Sequence, residues 1–222
     1  MPNASSWSPA ASPSAPFEFE SPTLLLGVTL AKQVAVGLCD LESGRSLTVK
    51  IDLGESAVSD SYIREDDLVL TGEETPEAPV RTQAYIRGLT EDSACELILS
   101  RQTSLLDHAA PIEIKLTAGE FYRLAAGHLV EAKSNQEPGE EVALAAYLDD
   151  ETACCVLVYP GDADEIFVEP SHLTIRSFTQ SLEKGVIRRI RIRLFFLPIA
   201  QLEATLGGKL SEFCQSELPL TT

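Results

Sequence analysis

Residues 186–197 read Val-Ile-Arg-Arg-Ile-Arg-Ile-Arg-Leu-Phe-Phe-Leu, and this alternation leaves the segment one conformation. At period two, Val186, Ile190, Ile192, Leu194 and Phe196 share one face of a strand, and Arg189, Arg191 and Arg193 share the other. Side chains two apart on a strand stand about 6.6 Å apart, so the three guanidinium groups form a row about 13 Å long. Phe195 and Leu197 continue the arginine face. One end of that face is apolar and covered, so the segment reads as an interior strand whose charged end emerges near a rim or groove.

The row is out of character with the rest of the chain. Lys184, Arg188, Arg189, Arg191 and Arg193 fall within ten positions of a protein with 17 basic residues, 34 acidic ones and a formal charge of −17. A basic row in such a background needs a counter-charge. An external one is a phosphate or a carboxylated sugar, which makes Arg189, Arg191 and Arg193 candidate ligand-binding residues. An internal one is Asp or Glu on neighbouring strands, the ordinary case in sheets. Half-covered arginines must be paired, because an unpaired buried charge is costly. At least two of the three are therefore expected within ion-pair distance of a carboxylate on an adjacent strand.

The rest of the chain follows the same period. Residues 46–53 alternate, with Leu47, Val49, Ile51 and Leu53 inward and Thr48, Lys50 and Asp52 outward. Further strands are expected at 23–30, 33–39, 67–71, 80–87, 95–103, 111–116, 141–148, 152–159, 165–169 and 172–179. Their short spacing predicts antiparallel sheets with hairpin connections. Residues 72–79 and 133–140 read as acidic, Pro-bearing loops. Residues 1–16, rich in Ser, Pro and Ala with one Trp, predict a disordered, dispensable tail, with a single β-rich domain over 17–222.

Two helices are expected. Thr117-Ala-Gly-Glu120 has the form of a capping box, and Phe121, Leu124, Ala125 and Leu129 follow at helical spacing. The second helix runs from about Ile199 to Ser216, with Leu202, Leu206, Leu210 and Phe213 as its apolar stripe. Gly207-Gly208 in its middle predicts a kink or a close packing contact. The fold class is then mostly β: a two-layer antiparallel sandwich with one or two packing helices, including a C-terminal one.

Composition narrows the partners. The acidic excess argues against nucleic acid and anionic membranes, whose phosphates demand a basic surface. No apolar run has the length of a membrane-spanning helix, and the N-terminus lacks the basic segment of a signal peptide. The five cysteines, Cys39, Cys95, Cys154, Cys155 and Cys214, lie in apolar stretches without CxxC spacing. They read as buried small hydrophobes of a reducing, cytoplasmic compartment, without disulfides. No metal set and no cofactor is indicated. Cys154 and Cys155 are adjacent and point to opposite faces of a strand. The acidic loops Asp149-Asp150-Glu151 and Asp162-Ala-Asp164-Glu165 sit at opposite ends of one strand, so they cannot combine on one cation.

Of three histidines, His108 follows Asp107 in a loop, His172 opens a strand after Glu169 and Pro170, and His128 belongs to the first expected helix. His108 and His172 are the candidates for acid–base catalysis. No phosphate-cradling glycine loop, nucleophile elbow or His-Glu-x-x-His is present. Ser56-Ala-Val-Ser-Asp-Ser-Tyr-Ile-Arg-Glu-Asp-Asp-Leu, Ser181-Leu-Glu-Lys-Gly-Val-Ile-Arg-Arg and Ser216-Glu-Leu-Pro-Leu-Thr-Thr resemble a family of uncharacterised bacterial proteins. The resemblance implies that the arginine strand and the C-terminal segment belong to one fold, and it implies no activity. The number of short strands also fits the large sandwich of sugar epimerases, an analogy of fold alone. The reading is a non-catalytic binding or interaction module for a protein or a carbohydrate-like molecule. The alternative is an epimerase-like enzyme that uses the arginines to hold an anion and a His–carboxylate pair to move protons.

Overall fold

A computed structural model describes residues 6–9, 16–54, 56–133 and 142–217. The chain first lays down β1 (Ser6–Ser8), β2 (Phe17–Glu20), β3 (Leu24–Leu30), β4 (Val34–Asp40) and β5 (Ser46–Asp52) as an antiparallel meander. It crosses to a second sheet for β6 (Asp60–Arg64), β7 (Asp67–Gly72), β8 (Arg81–Leu89) and β9 (Ala94–Gln102). After the short β10 (His108–Ala109), β11 (Ile112–Thr117) returns beside β5. β12 (Glu120–Ala125), β13 (His128–Glu131), β14 (Val142–Tyr147) and β15 (Thr152–Val158) build the far half of the second sheet. β16 (Glu165–Glu169) and β17 (His172–Ser177) complete the first, and β18 (Ser181–Leu182) pairs with β10. β19 (Arg188–Pro198) then enters the second sheet between β15 and β9, and α1 (Leu202–Gln215) follows.

The result is an eight-stranded sheet, in the order β1-β2-β3-β4-β5-β11-β17-β16, facing a nine-stranded sheet, β13-β12-β14-β15-β19-β9-β8-β7-β6. Leu47, Val49 and Ile51 of β5 are buried while Ser46, Thr48 and Lys50 are exposed, as the alternation requires. In β19, Ile190, Ile192 and Leu194 join the core between the sheets, and Phe195 turns to the opposite face. Val186 and Ile187 precede the strand and are exposed.

Both faces of the nine-stranded sheet are partly dry. α1 lies across its outer face, and Leu202, Leu206, Leu210 and Phe213 are buried there against Ala143, Ala145, Ala153, Leu157 and Phe195. Each such side chain contributes about 1.5–3 kcal/mol of burial. The alanines keep this part of the sheet shallow, so the helix can settle close. The glycine pair imposes nothing special: a Cβ at Gly207 would meet Leu124 at an ordinary 3.6 Å, and one at Gly208 would meet nothing. Cys154 faces the inter-sheet core and Cys155 the helix side. Burial pushes the thiol of Cys154 up to about 12 and raises those of Cys95 and Cys155.

Two expectations need correction. The segment after Thr117 is a hairpin, β12–β13, and no helix. Phe121 enters the inter-sheet core while Tyr122 and Leu124 pack toward α1, so apolar residues fall on both faces and imitate helical spacing. Ala126 and Gly127 both have positive φ, 50° and 84°, which is the two-residue turn that matches strand twist. His128 therefore sits on a strand, with Nδ1 3.9 Å from Glu203 of α1.

The second correction concerns the expected tail. Ser6–Ser8 pair with β2, and Trp7 is only 6% exposed. Its ring lies 5.5 Å from that of Phe19, and its indole N–H donates to the Asp66 carbonyl at 2.8 Å. Phe19 in turn seats in a notch at Gly88, where a Cβ would overlap its ring. The remainder of residues 1–16, apart from 9 and 16, lies outside the described residues, as does most of the expected loop at 133–140.

Candidate functional site

The arginine face of β19 is built into the fold. Arg191 is 2% exposed, Arg193 8%, and Glu96 of the neighbouring β9 1%. Arg191 Nη2 donates to Glu96 Oε2 at 3.0 Å, and Arg193 Nε and Nη2 donate to the same oxygen at 3.1 and 2.9 Å. The strand register explains this. Arg193 pairs with Glu96, Glu96 with Arg87, and Arg87 with Asp67, so charge alternates in sign across β19, β9, β8 and β7. Arg87 closes the row with a bidentate grip on Asp67, at 2.6 and 2.7 Å, the strongest geometry for such a pair.

α1 completes the cover. The guanidinium carbons of Arg191 and Arg193 lie 4.7 and 5.1 Å from the centre of the Phe213 ring. Arg191 also donates to the carbonyl and hydroxyl of Ser216 at 3.2 and 3.0 Å, so a cation meets the negative end of the helix. Arg193 reaches Asp92 at 3.5 Å, and Lys209 of α1 reaches the same carboxylate at 2.9 Å. Arg189 is half-buried and is also engaged. Two of the three arginines thus meet a carboxylate on the adjacent strand.

The acidic loops are likewise used internally. Asp149 caps the backbone N–H groups of Glu151 and Thr152, both at 2.8 Å, and pairs with Arg45. Asp164 accepts from the Thr179 backbone at 2.8 Å. Asp162 accepts the Arg191 backbone N–H at 2.7 Å, where the β15–β19 ladder ends. Burial raises its carboxyl to about 6, against the opposing pull of that N–H. A raised carboxyl pKa means that the folded state holds its proton more tightly than the unfolded chain. Stability from this group is full below about 4 and is lost as pH rises toward 6. Asp162→Asn, which keeps a carbonyl acceptor, is expected to flatten that decline in urea melts across pH 4–7. A variant whose pH dependence matched the parent protein would show that Asp162 does not titrate there.

The histidines are dispersed. His172 is exposed at the start of β17 in the eight-stranded sheet, with its Nδ1 2.9 Å from the Ser171 hydroxyl. His128 lies beside α1. His108 is half-buried on β10 and lines a cleft at one end of the sandwich, of about 250 Å³. Gly54, Ser56, Pro79, Arg101 and Pro111 share that wall.

Arg101 is the residue that sequence reading missed. It follows Cys95, Leu97 and Leu99 on the inward phase of β9, so its strand points it between the sheets, and it is 3% exposed. It donates to the carbonyls of Ala110, at 2.8 Å, and Leu53. Burial lowers its guanidinium to about 10. The phase of β9 carried this signal: a charged residue at the inward position of an apolar alternation. A second cleft, of about 630 Å³, lies between β12–β13 and the β16–β17 turn, where Glu120, Glu131, Lys133 and Glu169 line it. Among the described residues no three His, Cys, Asp or Glu side chains are grouped as a metal-ligand set. Among the described residues no helix is long and apolar enough to cross a membrane.

No family model matches the chain, and no curated protein matches it. Solved structures do. The chain is similar to a galactose mutarotase related enzyme from Lactobacillus acidophilus, with TM-score 0.53 and 8% identity over 82% of this chain and 97% of that one. It is similar to the heparan sulfate lyase HepC from Pedobacter heparinus, with TM-score 0.50 and 8% identity over 89% of this chain and 37% of the lyase. A candidate kojibiose phosphorylase from the human microbiome gives TM-score 0.44 and 11% identity over 90% of this chain. The chain spans only 28% of that protein's length. At such identities the likeness is one of fold, and the fold is the large antiparallel sandwich of the mutarotase type.

Proposed function

We propose that this chain is a non-catalytic binding module that seats a small carbohydrate-like molecule in the cleft at the end of the sandwich. The observation that carries the reading is the meeting of Arg101 and His108 on one concave wall. The cleft is small beside the roughly 300–1,000 Å³ of drug-sized pockets, which suits a single compact polar ligand. Gly54, at φ 61°, presents no side chain to it, and the Ser56 hydroxyl donates to the Val80 carbonyl over a long 3.4 Å. Glu96 and Asp67 are spent on arginines, and the other histidines stand on separate elements. This dispersal favours binding over proton transfer, which needs an acid and a base on one substrate.

The test is a thermal-shift screen with neutral hexoses, hexose phosphates, hexuronic acids and divalent cations, run beside polarimetry of hexose mutarotation. A bound ligand at 100 times its Kd stabilises the fold by about 2.7 kcal/mol. The expected result is a rise in Tm with a sugar-class ligand and a mutarotation rate equal to buffer. Acceleration of mutarotation would favour the epimerase-like alternative, and a flat screen would remove the module reading.

A further inference from the structure

Resting on that reading, we infer that the ligand of the end cleft carries an oxyanion, a carboxylate or a phosphate, and that Arg101 holds it from below. A guanidinium has five N–H donors in a rigid fork. Among the described residues Arg101 spends two, both on neutral carbonyls, and its buried Nε has no partner. Carbonyl dipoles satisfy hydrogen bonds without supplying a counter-charge, and among the described residues no carboxylate forms an ion pair with Arg101, a costly state for a buried cation.

Among the described residues the acid that acts on it is Asp52, whose field favours the charged form of Arg101. Its carboxylate is already engaged, accepting from Gln33 Nε2 at 3.0 Å and from the Gly54 N–H at 2.9 Å. Arg101 is one of the lining residues of the cleft, so its side chain borders the space an oxyanion would enter. Charge-assisted bonds from a guanidinium to an oxyanion are about twice as strong as neutral ones. The His108 ring on the cleft wall supplies a further donor, and the Ser56 hydroxyl supplies another by turning from its long bond to the Val80 carbonyl. By contrast, Arg191 and Arg193 are deeper in their own ion pairs and face the helix.

Isothermal titration of the full chain with glucose, glucuronate, glucose 6-phosphate and inorganic phosphate tests this. Glucuronate or glucose 6-phosphate is expected to bind at least about tenfold more tightly than glucose, and their ratio tells carboxylate from phosphate. Inorganic phosphate alone shows whether the sugar ring is needed. Arg101→Lys, which keeps charge but loses the fork, is expected to cut anion affinity about tenfold or more, and His108→Gln several-fold. If Arg101→Lys does not fold, amide shifts at Gly54, Ser56 and His108 of the unaltered protein on titration locate the anion instead. Equal affinity for glucose and its anionic analogues would overturn the inference while leaving the binding module standing. So would anion binding indifferent to the substitutions and silent at those amides. Failure of all four probes to bind would count against both.

Discussion

Replacing Glu96 by Ala should cost this protein about 3–5 kcal/mol, the range for removing one partner of a buried ion pair. The carboxylate is 1% exposed, and one of its oxygens takes three N–H donors from two arginines. Without it Arg193 keeps Asp92 at its exposed end, but Arg191 is left with Ser216 and the Phe213 ring. The loss should exceed that of Arg193→Ala, whose removal leaves Glu96 still paired. Glu96→Gln should fall between, since the amide keeps an acceptor and loses the charge. Arg191→Leu should also destabilise, because it removes one of the three donors to the buried Glu96 carboxylate. Urea melts of these variants, with the Arg191–Glu96 double-mutant cycle, make the comparison. A loss below about 1 kcal/mol for Glu96→Ala would mean that water or a ligand compensates the arginines.

Trp7→Ala is expected to cost about 3–5 kcal/mol as a large-to-small core change. The indole is buried on Phe19 and on the 2.8 Å bond to Asp66, and truncation opens a void at the edge of the inter-sheet core. Trp7→Phe should recover most of the packing and lose only the hydrogen bond, worth about 1 kcal/mol. A thermal melt unchanged by Trp7→Ala would restore the view of this segment as a dispensable tail. Tryptophan emission offers an independent check, because Trp7 is the only Trp in the chain. It should be blue-shifted when folded and move red on unfolding.

These two sites mark where sequence reasoning succeeded and where it ran out. The arginine pairing was legible because strand geometry alone puts Arg191 and Arg193 on one face, and Phe195 beside them says that face is covered. Glu96 was harder. It stands in Ala-Cys-Glu-Leu-Ile-Leu, a charge within an apolar run, and only the register of β19 against β9 names its partners. Trp7 was lost because its surroundings are Ser and Pro, and three residues offer no period to detect. The β12–β13 hairpin failed for another reason. Its strands are sandwiched between the core and α1, so apolar residues on both faces erase the alternation. The end cleft needs the carbonyls of Leu53 and Ala110 to converge on Arg101 from opposite directions in sequence, which no local pattern encodes.

The place of β19 also sets a schedule for synthesis. Its neighbours, β9 and β15, are made well before it, yet neither has its final partner until residues 188–198 emerge. Without β19 the strand order leaves two half-sheets, β6–β9 and β12–β15, each with an unpaired edge strand. Such edges invite pairing with other chains. A chain cut short just before residue 188 therefore carries two adhesive edges in place of a smaller working domain, and the arginine strand is the piece that closes both.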